Sequence, residues 1–240
     1  MQALSYGEEK IHYRVFFIPT VQSKIAIHVH PNGSVQVDAP TGADLSKVKE
    51  AVLKRSRWIA DHLERIQEQR KHVLPREYVS GESHFYLGRR FQLKVVRSSQ
   101  GKSGVKMLSG RFRVFTDDAS PDRVKALLWT WYRVHARQYF GRRLEALIRE
   151  LALPNGSPDW RLRVMRRQWG SCSPRGVLSL NPHLVKAPRE CVEYVLLHEL
   201  CHLREHNHSP RFYRLLTNSM PRWRSVKARL DGMAELLLNE

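Results

Sequence analysis

Residues 194–210, YVLLHELCHLREHNHSP, set four histidines and two glutamates behind an apolar helical run. Val192, Val195, Leu196, Leu200 and Leu203 recur on one side of a helix, with Pro188 suited to its first position and Glu190 in its first turn. His198 and His202 then lie four residues apart on one face. At a rise of about 1.5 Å per residue, that spacing lets two imidazoles reach one cation. Glu199 follows the first histidine directly, which completes an HExxH pattern, HELCH. Zinc in a hydrolytic site takes three protein ligands and leaves the fourth position to water, so a third ligand is required. His208 is the candidate. On an unbroken helix it would stand about 600° around and about 9 Å along from His202, so the helix must end between them. Asn207 tolerates a left-handed turn, and Ser209-Pro210 reads as the cap and first residue of a new helix. Glu235, on a later helix, is the alternative third ligand.

This ligand set predicts one zinc ion that lowers the pKa of a water towards about 7 and polarises a scissile carbonyl. Glu199 would accept the water's proton and pass it to the leaving amine. His198, His202 and His208 must be neutral to ligate, so activity should fall in acid. Their second ring nitrogens also need holding, and Glu205 and Asn181 are candidates. Cys201 sits off the ligand face and, with Cys172 and Cys191, reads as a buried structural thiol. His28, His30, His62 and His206 read as solvent-facing. Met220 serves either as a floor beneath the metal or as core packing. The competing readings are a histidine-rich helix end with no metal and a non-catalytic metal-stabilised binding module.

The positioning elements follow from periodicity. Ile25, Ile27 and Val29 alternate with polar residues before Asn32-Gly33, then Val35 and Val37 follow, which predicts a hairpin. FYLGRRFQLKVV and VKMLSGRFRVF, the latter turning at Ser109-Gly110, are two more. Between the first two hairpins, Asp44 caps one helix with Val48, Val52, Ile59, Leu63 and Ile66 at helical spacing. From Ser120-Pro121 the period lengthens, and Val124, Leu127, Leu128, Trp131, His135 and Tyr139 trace a helix towards Leu153-Pro154, where PNGSP ends it. A short strand pair around RLRVMRRQWGSCSPRGVLSLN and three helices from near Pro188, Pro210 and Pro221 complete the chain. The expected class is α+β: a β-rich N-terminal lobe (1–118) with hairpins and one helix, then a helical zincin-like lobe (119–240), the two together counting as one domain over about 13–230.

Composition narrows the partners. With 240 residues, 42% of them hydrophobic, the chain can bury a core. Its 41 basic and 23 acidic residues leave a formal charge of +18, which suits a polyanion such as nucleic acid or serves solubility alone. Trp160 to Arg189 holds no acidic residue, and Arg161, Arg163, Arg166 and Arg167 are candidate non-specific nucleic-acid contacts to the phosphate backbone. Three cysteines without a CxxC pair argue against a disulfide framework, and neither a signal-peptide core nor a run of about eighteen apolar residues occurs. A cytoplasmic protein with no membrane partner is expected.

RRQWGSCSPRGVLSLNPHLVKAP and YVLLHELCHLREHNHSPRFY resemble the signature blocks of the YgjP-like metallopeptidase family, relatives of the SprT-like and WLM zinc proteases. KIAIHVHPNGSVQVDAP and YLGRRFQLKV are similar to that family's leading hairpin and its following strand, with Phe91 where a tyrosine is usual. The resemblance runs from about Tyr13 to Leu230. It implies that His198, His202 and His208 hold zinc and that Glu199 is the acid/base; it does not specify the substrate, and the protein or peptide expected as substrate follows from the ligand set. The SprT-like and WLM relatives act on proteins trapped on DNA, and by analogy a DNA-associated protease is an alternative. Metzincins, by contrast, carry a glycine where this chain has Glu205, which counts against that class. WGSCS is the family's other hallmark. Read physically, it is a hairpin entering the site whose edge holds an extended peptide, with Trp169, Gly170, Ser171, Cys172 and Asn181 as candidate substrate contacts. Equally, Trp169 is a core anchor and Gly170 a close-packing point.

Overall fold

Strands and helices both contribute, as the α+β expectation requires. The computed structural model describes residues 2–6, 9–18, 25–29, 33–71, 75–98, 103–151, 156–165 and 168–239. Two compact units divide between Leu74 and Pro75. Among the described residues no helix is long and apolar enough to cross a membrane.

In the first unit β1 (Gln2–Tyr6), β2 (Glu9–Ile18), β3 (Ala26–Val29) and β4 (Val35–Pro40) form one sheet in the order β1-β2-β4-β3. The expected hairpin is β3–β4, with Ile27 opposite Val37 and Val29 opposite Val35; Asn32 of its turn lies outside the described residues. Leu4, Ile11, Tyr13, Val35, Val37 and Ala39 pack against Val48, Val52 and Ile59. Those last three come from two helices, α1 (Leu45–Lys54) and α2 (Ser56–Lys71), where one was expected. Asp44 caps α1 by accepting from the Ser46 N–H at 2.9 Å. The break at Arg55 has a local cause: the Ser56 hydroxyl donates to the Leu53 carbonyl at 2.8 Å, and the Arg55 N–H turns in to the Val52 carbonyl. A serine hydroxyl competing for a helical carbonyl interrupts the ladder.

In the second unit β5 (Ser83–Tyr86), β6 (Arg89–Arg97), β7 (Gly104–Leu108) and β8 (Arg111–Thr116) form a sheet ordered β5-β6-β8-β7. Both of its hairpins turn on two residues of positive φ, Leu87-Gly88 (48° and 77°) and Ser109-Gly110 (48° and 71°). Such turns match the right-handed twist of paired strands. Ser120 then caps α3 (Pro121–Glu150), whose buried stripe runs through Val124, Leu128, Trp131, Tyr132, Ala136, Phe140, Leu144 and Leu147; Leu127, His135 and Tyr139 lie only at its margin. Pro154 and Asn155 of the expected breaker lie outside the described residues. The Phe112 ring meets Trp131 at 4.8 Å, and Leu93, Phe112 and Val114 share one core with α3. A border at 118/119 would cut through that core, which is why the compact units divide earlier, after Leu74.

Beyond α3, β9 (Trp160–Leu162), β10 (Gly170–Cys172) and β11 (Leu178–Leu180) form a three-stranded sheet ordered β10-β11-β9, with β10 at its edge. A 3-10 helix (Pro182–Lys186) leads to α4 (Arg189–Cys201), followed by α5 (Pro210–Ser219), α6 (Trp223–Gly232) and α7 (Ala234–Leu238). Nine of α4's thirteen residues are buried, so it is the central helix rather than one with a single apolar side. Its entry is fixed by the β5–β6 turn: the Leu87 and Gly88 N–H groups donate to the Val185 and Lys186 carbonyls at 2.8 and 3.1 Å. A Cβ on Gly88 would stand 2.7 Å from Pro188 Cα, and its φ of +77° already favours glycine. Gly88→Ala is therefore expected to cost about 1–3 kcal/mol of stability, seen as a lower urea midpoint.

Candidate metal centre

Whether three histidines meet depends on how α4 ends. The N–H groups of Leu203 and Arg204 tighten onto the carbonyls of Leu200 and Cys201, both at 3.1 Å, and Glu205 N–H also returns to Cys201 at 3.0 Å. The first two are i−3 bonds, which satisfy the last carbonyls of a helix without prolonging it. Ser209 then caps α5, accepting from the Phe212 N–H at 3.2 Å, with Pro210 as first residue. The chain reverses over these few residues as the sequence predicts, but Asn207 does not take the left-handed conformation expected of it. Instead the Ser209 N–H donates to the Asn207 carbonyl at 2.7 Å, a tight turn with negative φ.

The reversal brings His198, His202 and His208 together. His198 Nε2 lies 3.3 Å from His202 Nε2 and 3.0 Å from His208 Nε2, and one ligand atom from each ring falls within 4.8 Å of the others. Tetrahedral nitrogens about 2.0–2.1 Å from zinc stand roughly 3.3 Å apart, so the imidazoles fit a single cation. Beneath them the fully buried Phe212 ring meets all three, at 5.0, 4.6 and 4.8 Å. Sequence reasoning missed Phe212, although its place two residues past Pro210 puts it on the inward first turn of α5. Met220 packs on the main core. Glu235, on α7, does not join the convergent group, nor does any cysteine.

The ring orientations are set unequally. His202 Nδ1 is 3.1 Å from the Glu205 carbonyl oxygen, to which it donates, leaving Nε2 as a lone-pair donor for a metal. Glu205 was a candidate for this role, and it acts through its backbone; its carboxylate meets Arg211 at 3.0 Å. His198 Nδ1 is buried without a hydrogen-bond partner among the described residues. Burial, with His208 and His202 beside it, lowers the His198 pKa to about 3, and burial also lowers that of His202.

Glu199 is 5% exposed, and burial alone raises its carboxyl to a pKa of about 8. Its neighbour is Gly170 on β10. A Cβ there would lie 2.6 Å from Glu199 Oε1, so only glycine leaves the carboxyl its place. Across the sheet, Gly170, Leu180 and Leu162 share one row, and Ser171, Ser179 and Arg161 the next, on the opposite face. Of the candidate substrate contacts, Gly170 and Cys172 thus face α4, while Ser171 faces away. The Cys172 thiol is pushed up to about 11 by burial and by Glu199. Trp169 packs against the core with its Nε1 buried and without a partner among the described residues. Asn181 is fully buried and its side chain bonds to none of the three convergent histidines: it donates to the carbonyls of Met165 (2.7 Å) and Gln168 (3.1 Å) and accepts from the His183 backbone N–H (3.2 Å). Arg161 and Arg163 are exposed, Arg161 reaching the Ser179 hydroxyl at 3.3 Å; Arg166 and Arg167 lie outside the described residues.

Comparison with known proteins meets this geometry. Residues 23–233 match the model of a metallopeptidase domain, which sets the class: a hydrolase of peptide bonds. The chain belongs to the YgjP-like family, whose description that model carries. Among solved structures, the metallopeptidase zymogen abylysin of Pyrococcus abyssi is similar at 26% identity and a TM-score of 0.36, over 42% of this chain and 97% of its own. The zymogen jannalysin of Methanocaldococcus jannaschii is similar at 24% identity and a TM-score of 0.34, over 38% and 92%. No curated protein matches.

Two further histidines share the state of His198: burial lowers His84 and His183 to about 3. Because all three sit below the unfolded value of about 6.5, the unfolded chain binds more protons between those limits and these groups lose stability as the pH drops. Glu199, raised by burial from 4.5 to about 8, acts in the opposite direction. Urea midpoints of the metal-free protein should therefore peak between about pH 6.5 and 7, drop below that as three histidines outweigh one carboxyl, and decline more gently towards about pH 8, each group contributing up to about 1.4 kcal/mol per pH unit.

Proposed function

We propose that this metallopeptidase is zinc-dependent, with His198, His202 and His208 as the ligands and Glu199 as the general base. The observation that carries the reading is the convergence of three imidazole nitrogens beside a buried carboxyl. A bound zinc ion would supply Lewis acidity, bringing a water's pKa towards about 7 and polarising the peptide carbonyl. Glu199 would take the proton of that water and deliver it to the departing amine, a role that general acid–base groups fill with effects of about 10²–10⁴-fold. Gly170 keeps the carboxyl in line by offering no side chain to displace it. Among the described residues β10 has a strand neighbour on one side only, and its other edge suits an extended substrate chain held by backbone hydrogen bonds. Charge speaks for a nucleic-acid partner, but charge also serves solubility, so peptide is the substrate that this geometry favours.

Metal content by mass spectrometry, paired with casein digestion, tests the assignment. Glu199→Gln is expected to keep stoichiometric zinc and lose activity by about 10²–10⁴-fold. His208→Ala is expected to lose the metal; full zinc retention would remove His208 from the site. Gly170→Ala is expected to retain zinc yet lower kcat by at least about tenfold, because its methyl group must shift the Glu199 carboxyl. Wild-type kcat in that variant would show that the carboxyl's position does not matter.

A further inference from the structure

The hairpin that touches Glu199 continues past it. Leu203 follows Glu199 by four residues, one turn further along the same side of the chain, and its N–H still bonds back to Leu200. Just as Gly170 packs on Glu199, a Cβ on Gly176 at the tip of the β10–β11 hairpin would lie 3.4 Å from Leu203 Cδ2. The hairpin therefore flanks the helix end from the catalytic carboxyl to its own tip. At that tip is a cleft of about 490 Å³. Its lining includes Leu203, Gly176, Arg175, Arg204, His206 and Asp159.

The lining carries two guanidinium groups and one carboxylate. Arg175 is exposed and forms no ion pair among the described residues. The Arg204 guanidinium is steadied by donating to the Leu151 carbonyl at 3.2 Å. The cleft is thus cationic and has the volume of a small-ligand site. A peptide lying along the open edge of β10 advances about 3.3 Å per residue, so the one-turn step of about 6 Å from Glu199 to Leu203 equals about two residues.

We propose that this cleft is a specificity subsite for an acidic side chain, aspartate or glutamate, within about two residues of the bond to be cleaved. Arg175 and Arg204 attract an acidic side chain and repel lysine, and the single Asp159 carboxylate offsets only part of their charge. The proposal rests on the peptidase reading for its register, but not for its charge preference.

The test uses the full-length protein and a set of fluorescent decapeptides carrying Glu, Gln or Lys at each of the two positions on either side of one scissile bond. Binding is read by fluorescence anisotropy on zinc-loaded Glu199→Gln protein, and cleavage on the native protein. At one of the four positions Glu peptides are expected to bind about fivefold tighter than Lys peptides, an advantage that shrinks in high salt as screened surface pairs do. Arg175→Glu should erase or invert that order, and Arg204→Gln should weaken it. Equal affinities at all four positions, or a preference untouched by Arg175→Glu, overturn the proposal. Peptides bound in the expected order but left uncut would leave the subsite standing and sink the catalytic reading instead.

Discussion

The site depends on one helix stopping on time. Three imidazoles share a cation only if α4 ends at Cys201, because each further helical residue would carry His208 about 100° around and about 1.5 Å onward. The tightened bonds at 200–205 end it, and the Ser209 cap begins the next helix at once. Phe212 converts that backbone event into packing. Fully buried under all three rings, it ties their positions to the inward face of α5, so the helix–helix core and the ligand geometry are one construction.

Glu199 presents the complementary problem. Burial favours the neutral carboxyl, whereas a base must be ionised when substrate arrives. A divalent cation on the adjacent imidazoles is the positive charge that would reverse this preference. Metal and base are therefore coupled in the proposed mechanism. Gly170 adds the steric half of the arrangement by holding the carboxyl between strand and helix.

What could be read from the residues was what is encoded locally. HELCH fixes its own i,i+4 geometry once the helix is granted; Ser120-Pro121 and Ser209-Pro210 announce caps, and Ser109-Gly110 a hairpin turn, all where the structure has them. The rest rests on distant partners. Nothing near Gly170 says that Glu199 lies against it, and nothing near Asn181 says that its amide binds the carbonyls of 165 and 168 instead of a histidine. The single helix expected over 44–71 failed on a subtler point, a serine hydroxyl capturing one carbonyl. The compact units divide after Leu74, away from the change of period near 118/119, because such a change marks where an element type changes and not where a core ends: Phe112 packs across it onto Trp131.

β10 is only three residues long. An unpaired sheet margin is normally a hazard, since it invites another copy of the same chain to add on, and brevity is one of the ways proteins blunt it. Three residues offer too few backbone groups to template a lasting self-association, yet under the proposed mode they would suffice to steady a visiting segment for one turnover. A margin this short is kept from nucleating aggregates, and if substrate docks there as proposed, release of the cleaved product would not be slowed by an extensive ladder.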